Sequence, residues 1–290
     1  MSTFGIPDSR ASLTGPCLNS QTSLRASMDG SLKILGLVVV WCLWTSADAS
    51  AVEPRPAARK PTLVISMAYR EPNGLRRPVV EVWSSGEVRA IELRGTRKAP
   101  VEVPTLDRLS NAEYRELVTA ITADWKLSEL STDQIQSALQ KASDARQLTA
   151  EIPNAAQTEL TIVQGGQELT LSCPAVSILA TRFPEVAELQ QIEEAQNRLL
   201  NIAAVALVGG SARADQLAET ATQQLQESNS ASVVTRQDLR MVRRLADGSR
   251  FVQFVTPAVP GQSDGCLVSL TQSPQGPTRV SVHETPEAIR

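Results

Sequence analysis

The hydrophobic positions of this chain change period several times, and each change predicts an element. Thr62–Tyr69 (TLVISMAY) is rich in β-branched and aliphatic residues and predicts a strand. Val79–Trp83 and Glu87–Leu93 predict a hairpin around Ser84-Ser85-Gly86, with Val82, Val88 and Ile91 turned inward. Trp83 reads as a core anchor at the strand end. Thr158–Val163 and Glu168–Ser172 alternate about Gly165-Gly166, a pair suited to the positive φ of a tight turn. Near the C-terminus Leu239, Met241, Arg243 and Leu245 alternate with Arg240, Val242 and Arg244. Asp247-Gly248 then turns the chain into Phe251–Val255, and Cys266–Thr271 and Thr278–His283 form a further alternating pair. Arg94–Pro104, polar and carrying Pro100 and Pro104, reads as a loop.

Between these runs the period is helical. Ser110-Asn111-Ala112-Glu113 is a capping box with Leu109 as its staple. Tyr114, Leu117, Val118, Ile121 and Trp125 then follow at helical spacing as a core face. A second helix from Thr132-Asp133 aligns Ile135, Ala138, Leu139 and Ala142. Pro184 suits the first residue of a third helix, where its missing N–H costs nothing, and Glu185 and Glu188 suit its positive end. Its apolar face (Val186, Leu189, Ile192, Leu199, Ile202, Ala206) runs to Gly209-Gly210. The closing LLNIAAVALV is apolar nearly all round, so it should be buried, and it is too short to span a membrane. Ser211 can cap a last helix with Leu217, Ala218, Ala221 and Leu225 on one side.

The expected fold class is α+β: antiparallel hairpins packed on helices, ending in a helix followed by a four-stranded antiparallel meander. That last element order is similar to the cystatin-like folds. The Gln-x-Val-x-Gly inhibitor loop of that family is missing here, and Val163-Gln164-Gly165-Gly166 does not replace it. The resemblance therefore implies a fold and no activity. The expected organisation is a leader over 1–49, a Pro-rich tether over 50–61, an N-terminal α+β domain over 62–183, a connecting helix over 184–210, and a C-terminal domain over 211–290.

The leader sets the compartment. Ile34 to Trp44 carries no charge and follows Lys33. As a helix it rises only about 16 Å, roughly half a hydrocarbon core. It fits a signal-peptide h-region, with Ala47-Asp48-Ala49 as the cleavage site and Ser50 as the new N-terminus. Met28 lies five residues before Lys33, and a start there would give a leader of ordinary length. Of four cysteines, Cys17 and Cys42 fall in the part removed. Cys173 and Cys266 are left to pair as one disulfide, or to stay as two buried thiols.

The chain's charge of −3 gives no reason to expect a nucleic-acid partner. Residues 50–100 nevertheless carry ten Lys/Arg against five Asp/Glu, while 101–290 carry fifteen against twenty-three. A single histidine, His283, and no C-x-x-C pair leave too few ligands for a zinc site, and no cofactor motif is present. Glu193-Glu194 are adjacent carboxylates about 100° apart on a helix, so they do not share a site. Among Arg236, Arg240, Arg243, Arg244 and Arg250, the set Arg240, Arg244 and Arg250 reads either as edge-strand charges that prevent aggregation or as a strand-pair face able to hold an anionic partner. The expectation is an exported protein, periplasmic or extracellular. It would act without catalysis as a binding or envelope-assembly module, with a protein or anionic envelope component as partner and the membrane touched only by the uncleaved leader. A secreted hydrolase using carboxylates not identifiable from sequence is the alternative; a pocket with convergent carboxylates would mark it.

Overall fold

The computed structural model describes residues 60–96, 99–227, 232–256, 266–273 and 278–284. The leader, including the 34–44 run and Ala47 and Ala49, lies outside them, as does most of the tether. The first four strands run as a meander: β1 Leu63–Arg70, β2 Arg76–Trp83, β3 Glu87–Thr96 and β4 Ala99–Arg108. Two helices follow, α1 Asn111–Thr119 and α2 Thr132–Arg146. The hairpin β5 Gln157–Gln164 and β6 Gln167–Pro174 then adds to the other edge of β1. The result is an antiparallel sheet of order β4-β3-β2-β1-β5-β6. Three helices come next, α3 Val176–Arg182, α4 Ala187–Val208 and α5 Ser211–Glu227. Strands β7 Leu239–Arg244, β8 Arg250–Val255, β9 Cys266–Gln272 and β10 Thr278–Glu284 complete a second antiparallel sheet, β10-β9-β8-β7. The fold is α+β, with the expected four-stranded meander behind a helix.

Local chemistry explains most boundaries. Ser110 Oγ accepts from the Glu113 amide at 3.2 Å and Glu113 Oε2 accepts from the Ser110 amide at 2.9 Å, so the capping box closes in both directions. Ser131 and Gln134 build a second one at the start of α2. The stripe after α1 reaches the core through a π turn at Ala120–Asp124, which keeps Leu117, Ile121 and Trp125 all buried. Gly165 and Gly166 both take positive φ in the tight turn between β5 and β6. Gly209 ends α4 at φ 108°, a conformation that a Cβ disfavours.

Three expectations are corrected. Arg94–Pro104 is not a loop: it forms the far end of β3 and most of β4, paired from Glu87↔Arg108 to Thr96↔Ala99. Strand β4 lies at the sheet edge, a place where prolines 100 and 104 fit a strand. The long helix starts after Val186, not at Pro184. Pro184 sits in the turn that follows α3, a two-turn helix too short to show a period. On β7 a register shift between Leu239 and Met241 breaks the alternation, because Leu239 pairs with Phe254 while Met241 pairs with Gln253. Arg240 is the extra residue of this bulge. Leu239 is buried, whereas Met241 is 44% exposed.

Two cores result. Ile65, Met67, Val80, Val82, Leu160 and Ile162 of the six-stranded sheet meet Leu117, Leu179, Leu189 and Leu199 of the helices. Leu217, Ala221 and Leu225 of α5 meet Leu239, Val252, Phe254, Val268 and Leu270 of the second sheet. Helix α4 serves both, giving Ile202, Ala203 and Ala206 to the first and Ala204 and Val208 to the second. Cys173 belongs to the first core and Cys266 to the second, and both are free thiols. The alternative of two buried thiols is therefore the one observed. Burial pushes the Cys173 thiol up to about 12, so it is not a nucleophile. No helix among the described residues is long and apolar enough to cross a membrane.

Candidate functional site

Helix α4 carries two stripes with the same spacing and opposite chemistry. Leu200, Ala203, Ala204 and Leu207 repeat at i, i+3, i+4 and i+7; so do Arg198, Asn201, Ile202 and Val205. The offset of two residues places the stripes about 200° apart, on opposite sides of the helix. Each stripe lines its own cleft.

The first cleft is an apolar groove of about 350 Å³. Its floor is Leu200, Ala203, Ala204 and Leu207. Its walls are Tyr69, Val79, Ile91 and Leu93 from the first sheet, and Arg240, Met241, Val242 and Arg243 from β7. A register shift in the β1–β2 pair helps to build it. Met67 faces Val80 and Ala68 faces Pro78, so Val79 is the extra residue and Tyr69 pairs with Arg77. Burial raises the Tyr69 hydroxyl above its ordinary value, as a water-poor wall requires.

Charge at the lip is uneven. Glu92 is buried and is held by two guanidiniums, Arg94 Nε at 2.5 Å and Arg244 Nε at 3.5 Å. Arg77 Nε lies 2.7 Å from Glu71 Oε1. Its N–H does not aim at that oxygen, so the buried nitrogen lacks an aligned acceptor. Arg240 donates to the Gln237 carbonyl, and Arg243 lies over the Phe251 ring, 5.7 Å from its centroid. Neither forms an ion pair with a described residue. Burial lowers the Arg240 guanidinium below its usual range; Asp238 opposes this and Arg198 adds to it. Over its apolar floor the groove thus presents two guanidiniums that form no ion pair with a described residue.

Of the three arginines singled out from sequence, the structure brings only Arg240 to this groove. Arg244 is committed to Glu92, and Arg250 donates to the Val208 carbonyl at 3.2 Å, at the C-terminal end of α4. Arg243 takes a place at the groove that simple alternation did not distinguish. The bulge at Arg240 was invisible in the sequence, since Leu239–Arg244 alternates without a break as written.

The second cleft, of about 50 Å³, is lined by Asp107, Glu113, Glu116, Arg198, Asn201, Ser211 and Arg236 among others. It has room for a few waters at most. Three carboxylates converge here, yet two of them are ion-paired: Glu116 with Arg198 at 3.0 Å and Glu113 with Arg236 at 3.1 Å. Burial acts to raise the Glu113 carboxyl. The Ser110 hydrogen bonds and the charges of Arg236 and Arg198 outweigh it and hold the group below the usual carboxylate range. Such a group does not give up a proton near neutral pH as a general acid. Asn201 closes the cleft from below, donating to the Arg236 and Leu239 carbonyls at 2.7 and 3.0 Å.

Glu193 on α4 is half-buried and its carboxyl is raised, first by burial and then by Glu194. No group of three or more potential metal ligands occurs among the described residues. No protein-family model matches the chain, and no curated protein matches it in sequence.

Proposed function

We propose that the chain is exported past its leader and works as a non-catalytic binding module of the cell envelope or extracellular space. The observation that carries the binding reading is the groove beside α4: concave, apolar, preformed and topped by two arginines, Arg240 and Arg243, that form no ion pair with a described residue. Its volume falls at the lower end of the roughly 300–1,000 Å³ typical of small-molecule sites. Two buried hydrophobic cores and fixed ion pairs support it as a rigid receptacle. Two of the three carboxylates of the second cleft, Glu113 and Glu116, are engaged by arginines and Ser110, which weighs against the hydrolase alternative. The leader's short apolar run, flanking lysine and Ala47/Ala49 support export.

The test is native mass spectrometry of the protein recovered from fractionated source cells. The expected result is a chain beginning at Ser50 in the exported fraction, carrying a noncovalent mass that denaturant releases. A chain with its leader intact inside the cell overturns the export reading. A clean unliganded mass overturns the binding reading.

A further inference from the structure

We infer that the groove takes a single unbranched aliphatic chain ending in a carboxylate. This rests on the binding-module reading and names its ligand. The floor of Leu200, Ala203, Ala204 and Leu207 offers no polar side chain, so the body of the occupant is apolar. The space is narrow in total, about 350 Å³, which suits one chain and not the paired chains of a membrane lipid. The head is anionic because the other guanidiniums at the lip are ion-paired and Arg240 and Arg243 are not, among the described residues. Glu92 is neutralised by Arg94 and Arg244, and Arg77 sits against Glu71. Arg240 and Arg243 form no ion pair with a described residue, and Arg240 is partly desolvated, attracted by Asp238 and repelled by Arg198. A carboxylate between the two would accept charge-assisted hydrogen bonds from planar guanidiniums. Its negative charge would also offset the desolvation of Arg240. The aliphatic tail then lies along α4 and the head at β7.

Isothermal titration of the 50–290 chain with decanoate, decanol and acetate tests this. Decanoate should bind, decanol should bind about tenfold or more weakly for want of the charged contacts, and acetate should give no signal. From hexanoate to decanoate, each two added methylenes should tighten binding by about tenfold. The pair R240Q/R243Q should reduce decanoate to the level of decanol and leave decanol unchanged. Should that pair fail to fold, Met241→Glu decides: this lip residue is 44% exposed, so the change spares the core and sets a negative charge beside the head group. It should weaken decanoate at least tenfold at an unchanged melting temperature. Equal binding of decanoate and decanol, or decanoate binding untouched by Met241→Glu, overturns the inference. So does tighter binding of an apolar peptide than of any alkyl carboxylate. If alkyl carboxylates fail while the cell-derived protein still releases another ligand, the binding reading stands and this ligand class falls.

Discussion

The two sides of helix α4 form a natural contrast. One side, reached through Arg198 and Asn201, is polar and closed: Glu113 and Glu116 meet Arg236 and Arg198, and the Asn201 amide meets carbonyls. The other, reached through Leu200, Ala203 and Leu207, is apolar and open, and its Arg240 and Arg243 form no ion pair with a described residue. Both sides come from one run of sequence with the same spacing. What separates them is only which residues occupy the two stripes and what the neighbouring elements bring. A cleft whose groups are mutually satisfied is structure; a cleft whose groups are not is available for something else. This distinction cannot be made from residue types alone, since the satisfied cleft holds more charged residues than the open one.

Experiments can break or sharpen this contrast. The largest effect is expected from Asn201→Ala, which removes both hydrogen bonds to buried carbonyls at the start of β7. At about 1–3 kcal/mol for each group left unsatisfied, the loss should be about 3 kcal/mol in urea unfolding. A loss below half a kcal/mol would mean that the polar side does not hold the second sheet in place. Ser110→Ala should cost about 1 kcal/mol by opening the capping box that also positions Glu113.

Arg236→Gln should change the pH dependence more than the stability itself. The Glu113 carboxyl lies below its ordinary 4.5 in the folded state. Its contribution is therefore complete above the unfolded value and is lost as pH falls through the lower folded one. The gap in melting temperature between wild type and Arg236→Gln should narrow as pH falls from 7 towards 3; a constant gap would contradict the paired geometry. The smallest effect is chemical. A thiol reagent should titrate Cys173 and Cys266 as two free thiols in the unfolded chain. It should react with neither at an appreciable rate in the folded one.

Much of the scaffold could be read in the sequence because its signals are local. Ser110 and Glu113 are three residues apart, Gly165-Gly166 sits inside its own hairpin, and Gly209 follows its helix directly. The β3–β4 hairpin escaped because two prolines outweighed the alternation around them, and only the sheet order shows that the second strand is an edge. Helix α3 escaped because two turns are too few for a period to appear. The candidate groove depends on long-range facts. The run LLNIAAVALV revealed that α4 is buried, but not which of its stripes would meet side chains and which would meet space. The bulge at Arg240 is set by pairing with β8, and so one of the anticipated arginines reaches the groove while Arg244 and Arg250 satisfy internal acceptors.

Strand β4 bears on how this molecule behaves at high concentration. Among the described residues its outward edge has no neighbour in the sheet, and Val101 and Leu106 stand exposed along it. A flat strand of that kind would be a template on which a second molecule could extend the sheet. Proline at positions 100 and 104 removes two amide hydrogens from the ladder that such an addition would need. Crowded copies of this protein should therefore stay apart along that border, and replacing Pro104 with valine should be enough to make them stick.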